Sequence, residues 1–101
     1  MYFNARTSSS ASLSANTWTH VAVTRSGTTL RCFINGALDT TVTSSYNFNN
    51  AGTFYVGVYG SGSVNYFNGY MSNVRCVKGS AVYTSAFTPS TTPLTAITNT
   101  S

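Results

Sequence analysis

Residues 18 to 43 constrain the fold more than any other stretch, because three alternating runs are joined there by two turn signals. The runs are "WTHVAVTR", "LRCFI" and "ALDTTVT". Alternation with period two is typical of strands. "SGTT" predicts a tight turn after the first run. Asn35-Gly36 predicts a two-residue hairpin after the second, since a type I′ turn needs positive φ at both positions. The stretch therefore predicts two successive hairpins, with strands at 18–25, 30–34 and 37–43.

The rest of the chain also has β character, because β-branched and aromatic residues dominate and no segment keeps a 3.6-residue period. The predicted fold class is all-β, with almost no helix. Further strands are expected at 2–5, 54–59 and 65–77, the last interrupted at Asn68-Gly69, with a Ser-rich loop at 7–12.

A chain of 101 residues is one domain at most. We expect a single sandwich domain at 1–88 and a tail or edge segment at 89–101. Within it, 78–93 is predicted to be an irregular covering segment anchored by Tyr83 and Phe87, because Pro89 and Pro93 bar a central strand there.

The first strand has apolar residues on both faces, so both faces are expected to be covered. Trp18 is interpreted as a core anchor at its start, and His20 as a packing or hydrogen-bonding residue. Cys32 and Cys76 are read as small buried hydrophobic residues, with a disulfide between them as the alternative.

Charge is scarce, since only 6% of the residues are charged against roughly a quarter in a typical soluble domain. The net charge of +4 reflects missing acids. The five cations are scattered, which argues against nucleic-acid binding. No apolar run reaches the ~18 residues of a membrane helix, and the start "MYFNARTSSS" resembles no cleavable signal.

Four phrases carry a family likeness: "WTHVAVTRSG" (18–27), "LRCFING" (30–36), "FNGYMSNVRC" (67–76) and "KG…VYTSAFTP" (78–89). In order and spacing they resemble the laminin-G-like branch of the concanavalin A-like lectin/glucanase superfamily, and most closely its versions in phage and cyanophage tail-fibre and structural proteins. The likeness covers about residues 13 to 89. It implies an antiparallel β-sandwich (a jelly roll) in truncated form, because the phrases resemble only the C-terminal half of that fold.

Such a half sandwich should expose edges and apolar faces. Copies could complete one another, the chain could form a smaller sandwich, or another protein could cover the open faces; we favour assembly. The residues expected to serve the structural motif are Trp18, His20, Arg25, Asn35, Gly36, Gly69 and Arg75.

The function that the resemblance implies is that of a non-enzymatic virion structural or surface protein, such as a head decoration, a knob or a tail-fibre component. Its partners would be copies of itself or other virion proteins. It would be made in the host cytoplasm, released by lysis and located on the virion surface, or otherwise outside the cell.

Neither an enzyme nor a metal site is expected. Glycoside hydrolysis needs two carboxylates, and Asp39 is the only Asp or Glu. Ser72 and Asn73 stand where the family pattern usually carries acids, and calcium requires several oxygen ligands. A single His and two distant Cys make zinc improbable. No cofactor is expected.

The alternative function is a carbohydrate-binding adhesion module that recognises host-surface glycans. Sugar sites pair aromatic platforms with amide and hydroxyl groups. The candidate residues, which lie in or beside loops, are Tyr46, Phe48, Asn49, Asn50, Tyr59 and Tyr66.

Overall fold

A computed structural model of the protein describes residues 2–3, 7–8, 12–45, 55–58 and 66–95. Over these residues the backbone forms strands, turns and irregular segments, with no helix. This confirms the all-β, antiparallel class. The strands are β1 (Tyr2–Phe3), β2 (Thr7–Ser8), β3 (Val21–Ser26), β4 (Thr29–Ile34) and β5 (Ala37–Thr43).

Strands β3, β4 and β5 form an antiparallel sheet in chain order, so both predicted hairpins are confirmed. The second turn has the positive φ that its sequence requires, 50° at Asn35 and 83° at Gly36. The first strand begins at Val21, which pairs with Ile34, and the prediction of a start at Trp18 is therefore wrong by three residues. On the N-terminal side of Val21, the opposing residues belong to the Asn35 turn and no longer to β4.

A β-bulge lies in β5 at Asp39, the only acidic residue of the chain. Cys32 pairs with Thr40 whereas Phe33 pairs with Leu38, so Asp39 is the extra residue of the bulge. The Asp39 carboxylate accepts a hydrogen bond of 2.8 Å from the Thr40 hydroxyl. A bulge re-aims side chains and bends its strand, and here it keeps both Thr40 and Leu38 in register with β4.

Burial is deepest on the central strand β4 and differs between the faces of β3. On one face, Phe33 is fully buried and the neighbouring Thr24 is 9% exposed. On the other face Cys32 is buried, whereas Val21 and Val23 on β3 are 38% and 48% exposed. The expectation that both faces of the first strand are covered is therefore wrong for the face that carries these two valines.

Three further predictions, one of a loop and two of strands, need correction. The Ser-rich loop begins with a strand, because β2 pairs antiparallel with β1. No strand occurs in the described parts of the other two segments, 55–58 and 66–77. Gly57 and Asn73 have φ of 78° and 55°, which is the left-handed region and breaks an extended backbone.

Candidate functional site

The segment from Ala81 to Pro89, here called the strap, crosses the face of the sheet that carries Phe33. The Thr24 hydroxyl donates a hydrogen bond of 2.7 Å to the carbonyl oxygen of Tyr83. Further along, the backbone N–H of Phe87 donates to the carbonyl oxygen of Gly36 at 2.9 Å. These bonds confirm the predicted covering segment and hold it against β3 and the second hairpin.

Four rings join the strap to the sheet. Tyr83 and Phe87 stack with ring centroids 3.5 Å apart and planes within 6°. The Phe33 ring packs edge to face on Tyr83 and Phe87, with centroids 6.3 Å and 5.4 Å away. His20, just before the start of β3, packs edge to face on the same two rings at 6.5 Å and 5.4 Å. Edge-to-face and stacked pairs are the arrangements that aromatic quadrupoles favour. The predicted anchors Tyr83 and Phe87 are therefore confirmed.

His20 and Asn35 bracket the end of the first hairpin. The backbone N–H of Asn35 donates to the carbonyl oxygen of His20 at 2.8 Å, and the N–H of His20 donates to the Asn35 side-chain oxygen at 2.9 Å. The His20 ring nitrogen Nδ1 is buried without a hydrogen-bond partner. Surrounded by rings, the imidazole contributes packing, as the sequence suggested.

Trp18 lies two residues before His20 and does not enter this cluster. It is 72% exposed, so the prediction that it anchors the core is wrong. Trp18 precedes Val21, the first paired residue of β3. At this end of the strand, the ring that packs against Tyr83 and Phe87 belongs to His20.

The strap and the second hairpin approach each other closely at Gly36. A Cβ built there would overlap the carbonyl oxygen of Phe87 and would lie 2.9 Å from Cδ of Pro89. Only a glycine satisfies both this contact and the positive φ. The predicted structural role of Asn35-Gly36 thus extends beyond the turn to the docking of the strap.

Two of the predicted arginines hold irregular backbone. The Arg25 Nε–H donates to the carbonyl oxygen of Gly27 at 2.9 Å, across the first turn. Arg75 makes two long contacts of 3.4 Å, from Nη1 to the carbonyl oxygen of Thr95 and from Nη2 to the Tyr83 hydroxyl. Arg75 therefore links Thr95, which lies C-terminal to the strap, to Tyr83 within the strap.

The two cysteines have different environments. Cys32 is buried and Cys76 is exposed, and both are free thiols. The interpretation of a small buried hydrophobic residue is therefore confirmed for Cys32 and wrong for Cys76, and no disulfide joins them. Burial raises the pKa of the Cys32 thiol, and the nearby Asp39 carboxylate raises it further.

Most of the residues predicted for glycan binding lie outside the described residues, namely Tyr46, Phe48, Asn49, Asn50 and Tyr59. Tyr66 is described, and its side chain is 69% exposed. It belongs to a second group of residues that the sequence reading did not select as a unit.

We call the described segments 55–58 and 66–74 the aromatic surface. The N–H of Phe67 donates to the carbonyl oxygen of Gly57 at 2.7 Å, which joins the two segments. A Cβ at Gly69 would lie 2.9 Å from the Phe67 ring, so this predicted structural glycine leaves room for that ring. The exposed large apolar side chains are Tyr55, Val56, Tyr66, Phe67, Tyr70, Met71 and Val74. The sequence feature that could have identified this surface is the uncharged, aromatic-rich run "YFNGYMSNV" at 66–74.

Within the residues that the structure describes, no three His, Cys, Asp or Glu side chains lie together as metal ligands would. In the same residues, no helix is long and apolar enough to span a membrane.

The laminin-G-like family model of the concanavalin A-like lectin/glucanase superfamily matches residues 2–95, a longer stretch than the quoted motifs span. The chain therefore belongs to this superfamily, and its antiparallel three-stranded sheet is consistent with a truncated sandwich of that fold. No curated protein and no solved structure compared with the chain matches it.

Proposed function

We propose that this chain is a non-catalytic structural domain of a virion surface, which assembles with copies of itself or with other virion proteins. The observation that carries the proposal is the amount of surface that the single chain leaves exposed. This quantity concerns the whole chain rather than any one residue.

The chain exposes 7827 Å² of accessible surface. A folded monomer of 10.7 kDa is expected to expose about 5,500 Å². The excess of about 2,300 Å² is at the upper end of what one partner buries in an obligate assembly. The radius of gyration of 14.0 Å points the same way, since a compact domain of this length has about 12.7 Å.

A structural role also fits the shortage of acids. Retaining and inverting glycosidases both need a pair of carboxyl groups about 5 to 9.5 Å apart. Asp39 is the only Asp or Glu of the chain, and its carboxylate already accepts the Thr40 hydroxyl at the bulge. We therefore propose that the chain does not cleave glycosidic bonds.

The virion part of the proposal depends on the likeness of residues 67–76 and 78–89 to phage and cyanophage structural proteins. We propose on the same basis that the four motif phrases correspond to the C-terminal half of a sandwich, that the protein is made in the host cytoplasm and that lysis releases it. The low charge, with Ser, Thr and Asn on the surface, suits a domain whose neighbours are other coat proteins.

Glycan binding is the second candidate. Tyr66 and Tyr70 are 69% and 88% exposed, and Asn68, which carries an amide, stands between them in the sequence. Exposed aromatic rings beside an amide are the groups that stack on and hydrogen-bond to sugars. The same groups, however, also make adaptable protein contacts.

The experiment is the absolute mass in solution by light scattering across a dilution series, with circular dichroism recorded on the same samples. We expect a β-rich multimer whose mass falls on dilution. A folded monomer at every concentration would contradict self-assembly, and a glycan screen on that monomer would then test the second candidate.

A further inference from the structure

We infer that the aromatic surface, residues 55–58 and 66–74, is the face through which one copy of this chain contacts a second copy. This inference rests on the proposed function, because it locates the contact that the assembly would use.

The two segments form one continuous surface rather than two separate ones. Besides the backbone bond from Phe67 to Gly57, the Met71 side chain lies over Gly57, since a Cβ built there would be 3.7 Å from Met71 Cε. The left-handed φ of 78° at Gly57 turns the first segment against the second. A substitution on one segment should therefore affect the contact made by both.

Exposed apolar side chains are concentrated on this surface. Among the residues that the structure describes, thirteen large hydrophobic side chains are exposed, and seven of them belong to these two short segments. Scattered exposed hydrophobic residues need no explanation, but a contiguous apolar patch on a small domain marks an interaction site. Tyr, Phe and Met are also the residue types enriched at interface centres, with Tyr prominent among hot spots.

Charge favours an identical partner. Neither segment contains an Asp, Glu, Lys, Arg or His, so the surface selects no partner of opposite charge. Two copies of a neutral apolar surface can meet around a two-fold axis, where each residue contacts its symmetry counterpart without like-charge repulsion. A partner with a charged surface would have to desolvate its charges against these rings without compensation.

The area is sufficient as well. A stable interface of standard size needs about 800 Å² from each partner. The excess surface of about 2,300 Å² for the chain as a whole is larger than this requirement.

The test compares two lysine substitutions at exposed aromatic residues, Tyr70→Lys on the aromatic surface and Trp18→Lys outside it. Tyr70 is 88% exposed and Trp18 is 72% exposed, so neither change should disturb the folded monomer. We expect Tyr70→Lys to weaken self-association by roughly tenfold or more, and Trp18→Lys to change it by less than about threefold. The readout is the dissociation constant from light scattering or sedimentation.

The outcomes separate the inference from the proposed function. If the unaltered chain assembles and Tyr70→Lys assembles equally well, or if only Trp18→Lys weakens assembly, the inference is overturned and the assembly role stands. If the unaltered chain is a folded monomer throughout, the inference and self-assembly both fail, and assembly with other virion proteins is the part of the proposed function that stands.

A second readout does not depend on substitution. Hydrogen exchange of the unaltered chain at high and low concentration should show slower exchange in peptides covering 66–74 when copies associate. The strap should exchange equally at both concentrations, because it already packs against the sheet of its own chain. Protection that appears elsewhere and spares 66–74 would overturn the inference, even if Tyr70→Lys proved unable to fold.

Discussion

Gly27 and Gly36 occupy the two hairpin turns and share a left-handed backbone, with φ of 58° and 83°. They differ in what surrounds them. Nothing lies within 4 Å of a Cβ at Gly27, whereas a Cβ at Gly36 would overlap the Phe87 carbonyl of the strap. The pair therefore separates the cost of backbone strain from the cost of lost docking space.

We expect Gly27→Ala to lower the free energy of unfolding by about 1 kcal/mol, which is the strain of an L-residue in this region. Gly36→Ala should lower it by about 3 to 4 kcal/mol, because overpacking against the strap adds to the same strain. Urea unfolding followed by circular dichroism measures both. Equal losses in the two variants would show that the strap does not press on Gly36.

The two thiols should react at very different rates. Cys76 is exposed and Cys32 is buried, so a maleimide should label one thiol per folded chain quickly and the second only on unfolding. Cys76→Ser should remove the fast phase and Cys32→Ala the slow one. Mass spectrometry of timed samples counts the labels, and fast double labelling of folded chains would contradict the burial of Cys32.

The pH dependence of stability follows from the same burial. Desolvation and Asp39 raise the folded-state pKa of Cys32 above its ordinary value of 9.0. The folded chain thus keeps a proton that the unfolded chain releases, so this contribution to stability is complete below pH 9 and is lost as the pH rises through the raised pKa. Between about pH 7.5 and about pH 10.5, the free energy of unfolding should therefore fall more steeply for the unaltered chain than for Cys32→Ala. Tyrosine ionisation affects both alike, and identical slopes would contradict the assignment.

At the scale of elements, the hairpins were predictable because their signals are local. Asn35-Gly36 is a residue pair that strongly favours a type I′ turn, and the alternation on either side fixes which residues face each other. The segments 54–59 and 65–77 also show alternation, but Gly57 and Asn73 take left-handed conformations that only tertiary contacts select. The bulge at Asp39 and the exposure of Trp18 depend likewise on pairing partners, which the sequence does not display.

The strap is an element without secondary structure of its own, and its attachment to β3 depends on few bonds. Thr24→Val keeps the shape but removes the hydroxyl that donates to the Tyr83 carbonyl at 2.7 Å. We expect a loss of about 1 to 2 kcal/mol in unfolding free energy, since the carbonyl is left without this donor. The matched control is Thr41→Val, an exposed threonine on β5, which should change stability by less than about 0.5 kcal/mol.

A comparison of proteolysis rates separates local release of the strap from global unfolding. If Thr24 holds the strap, cleavage between residues 81 and 89 should quicken in Thr24→Val before the sheet unfolds. Unchanged cleavage there, with a normal unfolding curve, would contradict the role assigned to the hydroxyl.

For the whole molecule, the sequence identified the superfamily and the sheet but not the surface on which we place the function. Motif phrases encode buried and turn positions, and these are shared across a fold that serves many functions. Tyr70 stands out only once the structure shows that it is 88% exposed, in an uncharged segment that also exposes Tyr66 and Phe67. Five of the six predicted glycan residues lie outside the described part of the chain, so that prediction stays a prediction.

The last prediction concerns how assembly responds to salt. Charged residues make up only 6% of the chain and none lies on the aromatic surface, so association should depend on apolar burial rather than on ion pairs. Raising sodium chloride from about 50 to about 500 mM shortens the Debye length from about 14 to about 4 Å and weakens exposed ion pairs. We expect the dissociation constant to change by less than about threefold over this range, and to decrease in sodium sulfate, which strengthens apolar burial. A steep loss of association with sodium chloride would instead place the contact on the five cations and Asp39, and would contradict the aromatic surface as the interface.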